Sequence, residues 1–125
     1  MAMALAAFGV SGCSDMCGNK IIHEKLSPDQ DFKAVVFERD CGATTAFSTQ
    51  ISLLEASESL SGGGNAFVSD SGQIVEGLNG PWVEIRWLGP SSLEVRYDAS
   101  ARLFEQDENV QSTRISYVPV KLATQ

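Results

Sequence analysis

Residues 82–97 alternate apolar and polar side chains twice, on either side of one break. Trp82-Val83-Glu84-Ile85-Arg86-Trp87 is followed by Gly89-Pro90-Ser91 and then by Ser92-Leu93-Glu94-Val95-Arg96-Tyr97. A period of two sends successive side chains to opposite faces of a strand, whereas a helix face recurs every three to four residues. A loop at 89–91 sets Trp87 opposite Leu93, Ile85 opposite Val95 and Val83 opposite Tyr97. The same register sets Arg86 against Glu94 and Glu84 against Arg96 on the other face. A slip of one residue would spoil both sets of pairs, so the pattern specifies a hairpin and its register. One face of that hairpin is apolar and needs a second layer over it.

The rest of the chain supplies further strands. Residues 32–38 are β-branched and aromatic, and residues 19–26 alternate loosely around Ile21 and Ile22. Ser27-Pro28-Asp29-Gln30-Asp31 reads as the turn between them, because proline presets φ and aspartate bonds to the local backbone. Placing Leu26 opposite Phe32 brings Ile22 to Val36, Ile21 to Phe37, His23 to Val35 and, further out, Cys17 to Cys41. Residues 46–54 read as a third strand with Phe47, Thr49, Ile51 and Leu53 on one face. The serines and Gly62-Gly63-Gly64 within 55–65 read as a flexible surface loop. Short strands are expected at 66–69 and from 101, with a last strand at 114–120 and a frayed tail at 121–125. The expected class is all-β, about seven strands in a mainly antiparallel meander, folded as a sandwich or a curled sheet. Ser27-Pro28-Asp29 before the second strand resembles the start of a β-propeller blade. A propeller needs at least about four blades, so 125 residues are too few.

Residues 1–12 carry no charge and are nearly all small or apolar, and they run into Val10-Ser11-Gly12-Cys13. That tetrad resembles the lipobox of bacterial lipoproteins: an aliphatic residue, two small residues, then cysteine. The resemblance implies cleavage before Cys13, lipid on its thiol, and a membrane anchor. The positively charged n-region of such signals is missing here, and the apolar run is too short to span a bilayer. Ser14 after the cysteine resembles the sorting signal for the Gram-negative outer membrane, facing the periplasm. The alternative is a buried N-terminal strand or helix with a free thiol. The expected division is a signal-like segment 1–12, a tether 13–19, one β domain 20–120 and a tail 121–125. Three cysteines then divide into one lipid site, Cys13, and one disulfide, Cys17 with Cys41, as export favours.

Cys17-Gly18-Asn19-Lys20, Ser27-Pro28-Asp29 and the segment Arg39-Asp40-Cys41-Gly42-Ala43-Thr44-Thr45 resemble a group of small bacterial proteins without an assigned activity. Similar proteins share the Gly-rich loop and the Trp-rich hairpin. The resemblance covers most of the chain and implies no catalytic residue.

The formal net charge is −7, and nine basic residues are scattered along the chain. Nucleic acid is therefore not an expected partner, because counterion release needs clustered Lys and Arg. A basic partner surface suits the chain better. One histidine and dispersed cysteines lack the paired spacing of a zinc site, and no cofactor motif is present: Gly62-Gly63-Gly64 lacks the Lys-Ser/Thr of a phosphate loop. Glu84 and Glu94 read as sheet-surface ion-pair partners rather than a glycosidase pair. The residues favoured for binding are Arg39, Asp40, Thr44 and Thr45 in the distinctive segment, and Trp82 and Arg86 on the polar face of the hairpin's first strand. The expected function is a non-enzymatic envelope lipoprotein that binds another protein, as an inhibitor, an immunity protein or an accessory subunit. The alternatives are a structural subunit of an envelope complex and a small cysteine hydrolase using Cys41 and His23.

Overall fold

The structure, a computed structural model, describes residues 17–42 and 47–123. The lipid site expected at Cys13, the segment 1–12 and the binding residues Thr44 and Thr45 lie outside the described residues. Among the described residues nine strands follow in order: β1 (Gly18–Leu26), β2 (Phe32–Asp40), β3 (Ser48–Glu55), β4 (Phe67–Ser71), β5 (Val83–Gly89), β6 (Ser92–Asp98), β7 (Ala101–Gln106), β8 (Asn109–Val110) and β9 (Thr113–Val120). No helix occurs among the described residues. The expected all-β class is correct, and β1 draws Gly18 and Asn19 of the expected tether into the sheet.

Two sheets pack face to face. The first has the order β1-β2-β3-β4-β7 and the second β5-β6-β9-β8. Between them lie Ala34, Val36, Ile51, Leu53 and Phe67 from the first sheet, with Val83, Ile85, Leu93, Val95 and Ile115 from the second. These are the inward positions of a period of two, and each buried Val, Leu, Ile or Phe among them contributes about 1.5–3 kcal/mol of hydrophobic stabilisation. The order is not a simple meander: β7 returns to the first sheet, and β9 then lies parallel to β6. Local alternation cannot reveal a parallel neighbour, because that pairing depends on the path taken between the two strands.

The Trp hairpin adopts the register read from its sequence, with Trp87 on Leu93, Ile85 on Val95 and Val83 on Tyr97. Arg86 and Glu94 close at 3.4 Å, while Glu84 and Arg96 are opposed without forming an ion pair. The turn is tighter than expected: Gly89 pairs with Ser92 across Pro90-Ser91, after an irregularity at Leu88.

The β1–β2 hairpin departs from the expected register over half its length. Gly18 faces Asp40 and Ile21 faces Phe37 as expected, but His23 faces Val36 and Leu26 faces Lys33. A bulge at Ile22 separates the halves. The two ends impose incompatible alignments. At the turn, Ser27 N–H donates to Phe32 O at 2.8 Å and Gln30 N–H to Ser27 O at 2.8 Å, which fixes Ser27 opposite Phe32. At the other end the Cys17–Cys41 disulfide fixes a register one residue different. One extra residue on the edge strand absorbs the mismatch.

The segment 56–66 is not a free loop. Leu60 packs on Val35, Phe37 and Leu54, an apolar cluster on the outward side of the first sheet. Gly64 N–H donates to Gln50 Oε1 at 2.7 Å, and the Asn65 side chain pairs with both N–H and C=O of Leu53 at 2.8 and 2.9 Å. A Cβ on Gly64 would lie 2.7 Å from Ile51 O, so the glycine is needed for close approach to β3. Ala123 is also held: the Gln73 side-chain amide donates to its carbonyl oxygen.

Candidate functional site

Strand pairing gathers the starts of β1, β3, β5 and β7 with the ends of β2, β4, β6 and β9 at one end of the sandwich. The Cys17–Cys41 disulfide lies there, so we call it the stapled end. The opposite end carries the 27–31 turn, Glu55, the end of β7, β8 and the Pro90-Ser91 turn.

Two buried carboxylates organise the stapled end. Glu38 is 3% exposed and accepts from Asn79 N–H at 2.7 Å, Gly80 N–H at 3.1 Å and the Asn79 amide at 3.2 Å. Asp98 is 1% exposed and accepts from Gln73 N–H at 2.6 Å, Ser100 N–H at 2.8 Å and the Ser100 hydroxyl at 2.7 Å. Buried charges are tolerated only when hydrogen-bonded in this way. Burial alone would raise the Asp98 pKa; the bonds from Gln73 and Ser100 outweigh it and hold the carboxyl below its ordinary value. Together the two carboxylates clamp both ends of the crossover 72–80 that carries the chain from one sheet to the other. Between the clamps, Val75 and Leu78 close a turn at 3.0 Å, with Gly77 at φ 90°, and Ile74 stands 85% exposed.

Among the described residues, the binding residues expected from sequence, Arg39, Asp40, Trp82 and Arg86, are not brought into one site. Arg39 and Asp40 are neighbours on β2 and so point to opposite faces. Arg39 donates to Asn19 Oδ1 at 2.7 Å, and Asp40 accepts from Gly42 N–H at 3.1 Å. Trp82 is half-buried ahead of β5, with its carbonyl taken by Asp98 N–H at 3.2 Å. Arg86 is exposed on the outward face of the second sheet, beside Glu94. A cleft of about 410 Å³ lies beside the staple, lined by Gly18, Lys20, Glu38, Asp40, Phe47 and Asn79, among others. Its most buried acid, Glu38, is already committed to the crossover. For the hydrolase alternative, Cys41 is oxidised to Cys17, so a thiolate there requires prior reduction. His23 sits mid-hairpin opposite Val36, well away from Cys41.

What sequence reading missed is where the charge accumulates. Asp29, Asp31, Glu55, Glu58, Asp107 and Glu108 are all exposed at the end away from the staple, with Glu105 half-buried among them. Among the described residues the cations there are Lys33, which pairs with Glu24 at 3.0 Å, Lys25, which donates to Ile85 O at 3.1 Å, and Arg114. Burial, and then the adjacent Asp107 carboxylate, raise the Glu105 pKa above its ordinary value. Burial, and then the charges of Asp107, Glu105 and Glu108, raise that of Tyr117. Tyr117 in turn props the acidic loop, its hydroxyl donating to Asp107 O at 2.6 Å with Ala66 O at 3.2 Å. The signal in sequence was the net charge of −7 together with acids in turn positions; only the register shows that these turns share one end. No family model, curated protein or solved structure matches the chain.

Proposed function

We propose that the chain is a lipid-anchored, non-enzymatic protein of the bacterial envelope, whose acidic end holds a protein partner with a basic surface. The observation that carries this reading is the segregation of charge: the acids lie opposite the stapled end, where the tether from Cys13 joins the domain. An anchor at that end turns the acidic end away from the lipid. Like charges gathered at one end gain free energy when a cationic surface covers them. The Cys17–Cys41 disulfide supports an oxidising compartment, and Cys13 with Ser14 supports the periplasmic side of the outer membrane. Inhibition, immunity and an accessory role in an envelope complex all fit such a holder.

The test uses the tagged full chain in its producing bacterium, cross-linked in the envelope and purified in detergent. The double substitution Asp107→Asn/Glu108→Gln should reduce recovery of the cross-linked partner by roughly tenfold, and high salt should reduce it similarly. Equal recovery from wild type and variant would overturn the assignment of the acidic end.

A further inference from the structure

We infer that the stapled end is a bilayer-contacting surface, with the clamped crossover 72–80 inserting Ile74 into the lipid interface. The inference rests on the lipoprotein reading of Cys13 and goes beyond it by naming the face and residue that meet the membrane. Three observations carry it.

The first is reach. Only Ser14, Asp15 and Met16 separate Cys13 from Cys17, so an acylated Cys13 lies within about 14 Å of the staple even if the chain is fully extended. The staple joins the first residues of the domain to the end of β2, so this end of the sandwich is the one held against the headgroups.

The second is apolar exposure. Ile74 is 85% exposed, more than any other large hydrophobic residue among those described, and Phe47 at the same end is 36% exposed. Trp82, half-buried nearby, is the residue type that favours the membrane interface. Ile74 is not presented on a loose loop: Asp98 holds the preceding residue, Gln73, and Glu38 holds Asn79 and Gly80. A side chain fixed in its bound geometry loses little entropy when it inserts.

The third is charge. The chain carries −7, yet among the described residues of this end Lys20, Arg39 and Lys121 stand against Asp40, Glu76 and the buried Glu38 and Asp98, and Asp70 is paired with Arg102 at 2.9 Å. The larger negative excess is at the far end. Of the two ends, this is the one an anionic bilayer repels least. One acylated cysteine plus an interfacial apolar contact also supplies the two signals that stable, oriented anchoring needs.

The test places tryptophan at position 74 in the full chain (Ile74→Trp) and, as a control, at position 104 (Phe104→Trp), where Phe104 is 59% exposed on β7. The acylated proteins are reconstituted into phosphatidylethanolamine–phosphatidylglycerol vesicles whose acyl chains carry bromine, a short-range quencher. Each variant is also bound through an N-terminal polyhistidine tag to the same vesicles doped with a nickel-chelating lipid, which reproduces the tether without acylation. Quenching should be roughly twofold stronger for Ile74→Trp than for Phe104→Trp in both formats. Equal quenching would overturn the inference. Intact mass separates that failure from failure of the reading beneath it: acyl mass on Cys13 with no extra quenching at 74 leaves the lipoprotein and removes the surface. Position 74 unquenched in vesicles but shielded from aqueous iodide in native envelopes would assign Ile74 to a protein pocket and overturn the lipid assignment.

Discussion

Replacing Gly80 by alanine tests how the crossover enters the second sheet. Gly80 is buried, and a Cβ there would lie 2.5 Å from Thr49 Oγ1 and 3.3 Å from both Ser48 C and Thr49 N. That hydroxyl cannot swing away freely, because it donates to Pro81 O at 2.7 Å and its residue is 2% exposed. Overpacking of this kind costs about 1–3 kcal/mol, and breaking the Thr49–Pro81 bond about 1 kcal/mol more. Gly80→Ala should therefore destabilise the protein by about 2–4 kcal/mol. Thr49→Ala alone should cost about 1–2 kcal/mol, chiefly for the lost bond. In the double variant the new methyl occupies the space vacated by the threonine side chain, so the penalties should not add; the coupling should be about 2 kcal/mol in the favourable direction. Urea unfolding followed by Trp82 and Trp87 fluorescence gives all four corners of the cycle, and unchanged slopes would confirm that the native state is what differs. Additivity within about 0.5 kcal/mol would refute the claim that the steric conflict at Thr49 Oγ1 is what excludes a side chain at 80.

Removing the staple by Cys17→Ser/Cys41→Ser opens a loop with a sequence separation of 24 and should cost about 3 kcal/mol in urea unfolding, with the loss of amide protection concentrated at the start of β1; a loss under about 0.5 kcal/mol would refute a structural role. Asp98 has a depressed folded-state pKa, so its stabilisation is complete above the ordinary value of 3.8 and is lost as pH falls through the lower folded value. Acid unfolding of wild type should therefore be steeper than that of Asp98→Asn between pH 3.8 and that lower value, and parallel acid limbs would contradict the clamp.

The Trp hairpin was legible in full register because two independent patterns, apolar inward and opposite charges outward, require the same alignment. The first hairpin was half legible for the complementary reason: its turn and its disulfide each fix a register, and the two disagree by one residue, which only the bulge at Ile22 resolves. The Gly-rich run looked like a loose tip because its partners are polar side chains on a sheet face, such as Gln50, that no spacing rule ties to it. The two buried carboxylates were illegible for a similar reason. Glu38 sits in a strand that alternates like any other, and its role depends on Asn79 and Gly80, over forty positions away. Residue type and local clustering point to Arg39 and Asp40 together, but adjacency along a strand sends them to opposite faces, while distant turns bring the acids together at one end.

The central claim is an exported, lipid-anchored domain, and the intact mass of the protein extracted from bacterial membranes, with and without reductant, tests it most directly. Loss of residues 1–12, acyl mass on Cys13 and a gain of about 2 Da on reduction are expected. A lipid-free chain that retains residues 1–12 and shows three free thiols would contradict the anchor and the staple together, and would return Cys41 and His23 to consideration as a catalytic pair.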